Sequence, residues 1–100
     1  MAIIRKGKTH KVSKDLILHP RINAGAFRLY SLLLSLENGL DYNREDMAKN
    51  LGVSIATIDN YLRLLNEIEC VKYVKKNSHL GFYYVGENVK EVINYWKGLK

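Results

Sequence analysis

Apolar residues recur at helical spacing in four segments of the chain, and short polar stretches separate these segments. Within each segment the apolar positions follow the i, i+3, i+4, i+7 pattern that places them along one side of a helix. An asparagine or a serine precedes each segment, and both residue types favour the N-cap of a helix. The pattern predicts helices at about residues 23–37, 43–52, 54–69 and 88–100, with N-caps Asn23, Asn43, Ser54 and Asn88.

Between the third and fourth helices the pattern changes to two short runs rich in tyrosine, valine and phenylalanine. The runs Cys70–Lys75 and Leu80–Val85 flank the polar segment 76–79, so they predict a β-hairpin. Thr9–Val12 could form a further short strand near the start of the chain. The predicted order is strand or arm, helix, helix, tight turn, helix, hairpin and helix, which is a mainly α member of the α+β class.

The net charge of +6 is distributed unevenly along the 100 residues. Residues 1–14 contribute +5, residues 15–69 contribute −3 and residues 70–100 contribute +4. A basic protein favours a polyanionic partner, either nucleic acid or an anionic membrane surface, although the charge could simply aid solubility. The basic start indicates a loose N-terminal arm at 1–9, before a folded domain at 10–86 and an amphipathic C-terminal helix at 87–100.

The segment MAKNLGVSIATIDNYL, residues 47–62, carries the most specific pattern in the chain. Ala48 is small enough for two helices to cross closely, Gly52 permits a sharp turn, and Ser54 caps the helix that follows. This segment resembles the helix-turn-helix of DNA-binding proteins. With the hairpin behind it, the chain resembles a winged helix-turn-helix domain over about residues 10–85.

Two further stretches refine this resemblance. VSKDL at residues 12–16 and FRLYSLL at residues 27–33 are similar to the winged-helix domains of plasmid and phage replication initiators and of primosomal proteins. The resemblance implies a three-helix core, a small β-hairpin wing and a C-terminal helix. It also implies a double-stranded DNA partner and a role as a small transcriptional regulator or replication-associated factor of a plasmid, phage or bacterium.

In such domains the second helix of the motif enters the major groove, and the wing meets neighbouring phosphates or the minor groove. Asn60 is suited to read an adenine edge, and Arg63 to reach a phosphate or a guanine. The resemblance implies DNA contacts from Asn43, Lys49, Ser54, Ile55, Ala56, Thr57, Asn60, Arg63, Lys75, Lys76 and His79.

The predicted reading helix departs from this pattern in its charge. It carries Ile55 and Ala56 where DNA readers often carry basic or amide side chains, and it also carries Asp59, Glu67 and Glu69. We therefore expect much of the affinity to come from the basic arm and wing, which bind phosphates with little sequence preference. The alternative is a winged helix that acts as a protein–protein interaction module in a replication or transcription assembly.

The last predicted helix places four apolar residues on one side: Val92, Ile93, Trp96 and Leu99. Such a face either packs back on its own domain or joins two copies in a homodimer. A homodimer would double the number of phosphate contacts. Both interpretations remain open at this point.

Catalysis and metal binding find no support in the sequence. The histidines and Cys70 have no metal-ligand spacing, and no phosphate-binding loop or nucleophile motif occurs. We therefore expect no enzymatic activity, no metal and no cofactor. A single cysteine and the lack of a signal peptide or long apolar run favour a cytoplasmic protein without a membrane partner.

Overall fold

The computed structural model describes residues 2–7, 14–78 and 80–98 of the chain. These residues form an α+β domain in which helices pack on one small sheet. The order of elements is β1 (Ala2–Lys6), α1 (Lys14–Ile17), α2 (Ala24–Ser35), α3 (Arg44–Leu51), α4 (Ile55–Glu67), β2 (Val71–Lys75), β3 (Gly81–Val85) and α5 (Val89–Gly98). The short helix α1 was not predicted, and the strand considered at Thr9–Val12 lies outside the described residues.

Three helix N-caps are confirmed by the hydrogen bonds that they make. The side chain of Asn23 accepts from the backbone N–H of Ala26 at 2.7 Å, and that of Ser54 accepts from Thr57 at 3.1 Å. Asn43 and Asp46 form a reciprocal capping box at the start of α3. These short-range bonds satisfy N–H groups that have no partner within the helix, and they fix where α2, α3 and α4 begin.

Helices α2, α3 and α4 enclose the core between them and the sheet. The side chains with almost no exposed surface include Leu29 and Leu33 of α2, Met47 of α3, and Ile58 and Leu65 of α4. All of them except Leu29 were predicted positions of the apolar helical stripes, whereas Phe27, which was predicted to lie in the stripe of α2, is half-buried. The burial of Ile58 and Leu65 fixes which side of α4 faces inward, and so leaves the opposite side of that helix to solvent.

The sheet has three strands in the order β1-β3-β2, with β3 in the centre. The antiparallel pair β2–β3 confirms the predicted hairpin, and it sets Tyr73 beside Tyr83. Strand β1 runs parallel to β3 on the other side and pairs Ile4 with Tyr83. The prediction of a loose basic arm over residues 1–9 is therefore wrong for residues 2–6, which are a strand of the fold.

Residues on alternate positions of the strands divide the sheet into two faces. The face that packs on α2–α4, here called the inner face, carries Ile4, Lys6, Val71, Tyr73, Tyr83 and Val85. The opposite face, here called the outer face, carries Ile3, Arg5, Lys72, Val74, Phe82 and Tyr84. Arg5 and Lys6, which suggested an arm by their charge, therefore have places on opposite faces of the sheet.

Lys6 shows why the basic start of the chain was misjudged. Its side chain is buried, and its Nζ donates to the backbone carbonyl of Leu34 near the end of α2 at 2.9 Å. A cation is favourable at the carbonyl end of a helix. Burial lowers the pKa of the Lys6 ammonium group, although the carboxylate of Glu37 partly opposes that shift. This lysine stabilises the fold and is not available to a phosphate.

Helix α5 packs back on the sheet of its own domain. A Cβ atom built on Gly86 would lie 2.5 Å from Cγ2 of Val92, so the glycine lets α5 approach β3 closely. The indole Nε1 of Trp96 donates to the backbone carbonyl of Lys6 at 2.6 Å. Across residues 2–7, 14–78 and 80–98, every helix is too short or too polar to pass through a bilayer.

Candidate functional site

One side of α4 is exposed along most of the helix, and it holds the residues predicted to read DNA. Ile55, Ala56, Asn60 and Arg63 are exposed, as is the cap residue Ser54. We call these five residues the α4 face. Thr57, which was predicted to belong with them, is half-buried, and its Oγ1 lies 2.9 Å from the hydroxyl of Ser54.

A tight turn sets the angle between α3 and α4. Gly52 has φ 68° and ψ 35°, the left-handed conformation that glycine adopts without steric cost. The backbone N–H of Val53 then donates to the carbonyl of Ala48 at 3.1 Å, and Ser54 begins the next helix. Ser54 and the first two residues of α4, Ile55 and Ala56, are exposed after this turn.

Asn60 and Arg63 interact with each other on the α4 face. The Arg63 guanidinium donates to Oδ1 of Asn60 across 3.3 Å. This contact orients the Asn60 amide through its oxygen and does not use the Nδ2 donor. A ligand that needs both the donor and the acceptor of Asn60 must therefore displace Arg63 or share its acceptor.

Asp59 and Glu67 of α4, and Glu69 just after it, are each paired with a basic residue from another part of the chain. Asp59 pairs with Arg44 at 2.7 Å, Glu67 pairs with Arg21 at 2.5 Å, and Glu69 pairs with Lys90 at 3.5 Å. The hydrogen bond that Arg44 donates to Asp59, and then the negative charge of Asp59, raise the pKa of Arg44.

These ion pairs change the expected electrostatics of α4. The sequence predicted a helix whose acids oppose the approach of phosphate. In the folded chain each acid is neutralised locally, and Arg63 remains as a base of the α4 face without a carboxylate partner among the described ion pairs. Exposed pairs of this kind contribute only about 0–1 kcal/mol each to stability. Their main effect here is on the local field.

An open groove of about 620 Å³ lies beside the α4 face, between the start of α3, helix α4 and strand β2. We call it the α4 groove. Tyr73 and Tyr83 line it from the sheet, with ring centroids 4.9 Å apart. Arg44, Arg63 and Lys72 line it together with Glu45 and Asp59. Burial raises the pKa of Tyr83 to about 12, so this phenol stays neutral at physiological pH.

The hairpin separates two lysines that the sequence placed together. Lys75 pairs with Gly81 and lies on the inner-face register of β2, next to the α4 side. The ammonium group of Lys76 lies 5.9 Å from the centre of the Phe82 ring, so it belongs to the outer face. The predicted contacts of both lysines with phosphates or the minor groove stay predictions. His79 lies outside the described residues.

Two other predicted contacts lie on α3. Lys49 is exposed in the last turn of that helix. The Asn43 side chain is half-buried and already caps α3 through Asp46, so it has a structural role. Lys72 and Arg44 line the α4 groove and were not predicted. Lys72 was missed because it lies in a strand run that was recognised by its apolar residues. Arg44 was missed because its partner Asp59 is 15 residues away in the sequence.

The residues predicted to form a dimer differ in their burial and contacts. Val92 is buried, and Trp96 is bonded to the chain's own β1, as the packing interpretation expects. Ile93 is half-buried, and Leu99 lies outside the described residues. A homodimer through this face stays a prediction. Among the described residues, His, Cys, Asp and Glu side chains do not form a group of three that could hold a metal ion.

Comparison of the chain with models of protein families, with curated proteins and with solved structures gives no match.

Proposed function

We propose that this chain is a winged helix-turn-helix protein that binds double-stranded DNA. The observation that carries the proposal is the α4 face, which is exposed while Asp59 and Glu67 of its helix, and Glu69 just after it, are held in ion pairs with Arg44, Arg21 and Lys90. An exposed helix with a free N-terminal half is the element that such domains insert into the major groove.

The order of the elements supports the proposed winged helix-turn-helix fold. Helix α2 is followed by a single β-bridge between Ile3 and Asp41, then by α3, the tight turn, α4 and the β2–β3 hairpin. A helix-turn-helix followed by a hairpin is the arrangement expected of a winged helix. In the proposed complex the α4 face enters the major groove, and the hairpin lies over the adjacent backbone.

The proposed contacts divide into two kinds. Asn60 and Arg63 offer the amide and guanidinium groups that read base edges, while Ser54 and Ile55 approach the groove at the start of α4. Lys49, Lys72 and Lys75 are exposed bases suited to phosphates, which set affinity more than sequence preference. This division fits a small transcriptional regulator or a replication-associated factor of a plasmid, phage or bacterium.

Binding to a fluorescent 30-base-pair duplex, followed by anisotropy over a range of salt, tests the proposal. We expect the logarithm of the affinity to fall with log salt by roughly 0.9 for each phosphate neutralised. Arg63→Glu should weaken binding and reduce this slope by about 1. Lys97→Glu is the matched control, because it changes the net charge equally but lies on α5 and outside the α4 face. Equal losses in both variants would show that net charge alone drives binding.

A second experiment addresses sequence preference. If Asn60 reads a base through two hydrogen bonds, Asn60→Ala should relax the preference at one position by roughly 1–3 kcal/mol. Selection of preferred sequences from a random duplex pool gives the measurement, and the same change at exposed Asn94 of α5 is the control. An unchanged preference in the Asn60 variant would remove Asn60 from the reading surface.

A protein partner is the second candidate, and one observation favours it. Ile55 is 39% exposed and stands beside exposed Ala56, so the start of α4 offers an apolar surface. Ile55→Ser should then abolish partner binding, and that binding should depend little on salt, in contrast to phosphate contacts. Failure of the duplex to bind even at low salt would favour this candidate over DNA.

A further inference from the structure

The outer face of the sheet holds a groove that has no part in the proposed duplex contact. Its volume is about 430 Å³, within the range of small-ligand sites. Strands β1 and β3, the hairpin end and α5 contribute to its lining, which combines the aromatic residues Phe82, Tyr84 and Trp96 with the cationic residues Arg5, Lys76 and Lys97. We call it the outer groove.

Arg5 lies between two aromatic rings of this groove. Its guanidinium carbon is 5.0 Å from the ring centre of Phe82 and 5.0 Å from the ring centre of Trp96. Such cation–π contacts hold the guanidinium in place without using a carboxylate. No ion pair among the described residues involves Arg5, so its N–H donors remain available to an anion.

The rings themselves are fixed by the fold. Trp96 is tied through its Nε1 to the backbone of β1 at 2.6 Å. Phe82 and Tyr84 occupy alternate positions of the central strand, with ring centres 6.0 Å apart and planes inclined by 49°. Both are half-buried. A ligand that stacks on them meets a surface that is already ordered, so binding costs little side-chain entropy.

The charges around the rings select the ligand further. The three cationic residues of the outer groove are joined by no acid in its lining. Among the charged residues of the three strands, Arg5 and Lys72 lie on the outer face, and the strands contain no aspartate or glutamate. The complementary ligand is therefore an anion, and the aromatic residues favour one that also offers flat, exposed π faces.

We propose that the outer groove binds single-stranded DNA, with unpaired bases stacked on Phe82, Tyr84 and Trp96 and phosphates held by Arg5, Lys76 and Lys97. Stacking platforms within a basic groove are the means by which proteins bind single strands with little sequence preference. A duplex buries the faces of its bases, so it cannot use these rings. The proposal does not depend on the duplex contact of the α4 face, which lies on the other side of the hairpin.

Trp96 is the only tryptophan of the chain, so its fluorescence reports on this groove alone. We expect the single strand dT12, added at low salt, to quench that fluorescence in a saturable manner. A 12-base-pair duplex should produce little quenching. A 12-unit abasic strand with the same phosphates should bind more weakly, by roughly 5- to 100-fold for each base whose stacking is lost.

Matched variants on the two faces of the hairpin locate the site. Tyr84→Leu, on the outer face, should weaken dT12 binding by roughly 5- to 100-fold. Tyr73→Leu, the same change on the inner face, should leave that binding unaltered. Lys76→Gln should reduce the salt slope for dT12 by about 0.7, whereas Lys75→Gln should not. Circular dichroism and urea unfolding of all four variants establish that they fold.

Three results would overturn the proposal. One is equal affinity and quenching for dT12 and the abasic strand, which would leave only phosphate attraction. Another is equal weakening by Tyr84→Leu and Tyr73→Leu in folded proteins. The third is tighter binding and stronger quenching by a 12-residue polyglutamate peptide, which would assign the groove to an acidic protein segment. Arg63→Glu tests the duplex contact and should leave dT12 binding unchanged. The Tyr84 and Lys76 variants test the outer groove, so the two proposals can fail independently of each other.

Discussion

Replacing Ile4 by alanine is expected to lower the free energy of unfolding by about 2–5 kcal/mol, the usual cost of truncating a large aliphatic side chain inside a core. Ile4 is fully buried, at 0% exposure, in the strand that the sequence suggested was a loose arm. Its backbone also bonds to the α2–α3 connection, with the Gly39 N–H donating to its carbonyl at 2.8 Å. Urea unfolding followed by circular dichroism measures the change.

The control for this prediction is Ile17→Ala. Ile17 is 56% exposed, and surface substitutions usually change stability by no more than about 0.5 kcal/mol. Deletion of residues 1–7 should have a larger effect than Ile4→Ala, since it also removes the bond from Lys6 to α2 and the acceptor of Trp96. A truncated chain that unfolds at the same urea concentration as the full chain would show that β1 contributes nothing.

Raising the pH from 8 to 12 is expected to destabilise the fold by several kcal/mol. Burial raises the pKa of Cys70 from 9.0 to about 11 and that of Tyr83 from 10.0 to about 12, and it also raises the pKa of Tyr30. These groups lose their protons more easily in the unfolded chain than in the folded one. Their contribution to the free energy of unfolding is complete at pH 8 and is lost as the pH rises through their pKa values in the folded chain. The loss is about 2–3 kcal/mol each for Cys70 and Tyr83.

Lys6 has the opposite effect on how stability changes with pH. Because burial lowers its pKa, the folded chain gains stability as the pH rises from that lowered value towards 10.5. Tyr83→Phe should remove about 2–3 kcal/mol of the loss between pH 10 and 12, and Cys70→Ala should remove the earlier part between pH 9 and 11. The same change at Tyr73, which is 47% exposed, is the control. Identical pH curves for wild type and Tyr83→Phe would contradict this explanation.

The features that were predicted correctly are determined by residues close in sequence. Asn23 and Ser54 cap helices through bonds that span three residues, and Gly52 takes the left-handed conformation because it ends α3. The apolar stripes of α2 and α4 reflect the helical repeat itself. For the same reason the exposed side of α4 was predicted nearly residue by residue, with Thr57 as the exception.

The features that were missed depend on residues far apart in the chain. Strand β1 is stabilised by β3, which lies near the other end of the sequence. Its basic residues were interpreted by charge, whereas Arg5 stacks between aromatic rings and Lys6 binds a helix carbonyl. The ion pair of Asp59 with Arg44 likewise joins two helices. Neither a local sequence pattern nor a count of charges can identify partners that are so distant in the sequence.

The hairpin shows how the position of a strand end limits prediction from the sequence. Lys75 and Lys76 are neighbours in sequence, and both were expected to meet phosphates or the minor groove. The strand ends between them, and Lys76 turns towards the ring of Phe82 while Lys75 keeps the register of Tyr73. The point at which a strand stops is among the least certain features of a sequence, yet here it decides which of two surfaces a charge belongs to.

The parallel pairing of β1 with β3 has a consequence for how the chain reaches its native state. Helices α2, α3 and α4 are consecutive and can associate early, because few residues separate their contacts. Strand β1 is synthesised first but must wait for residues 81–85 before it can pair. Until then its two isoleucines stay uncovered, and they are a point at which nascent chains could associate wrongly. The slowest step of folding should therefore be closure of the sheet around β3, and the last strand to join should be the first to have been made.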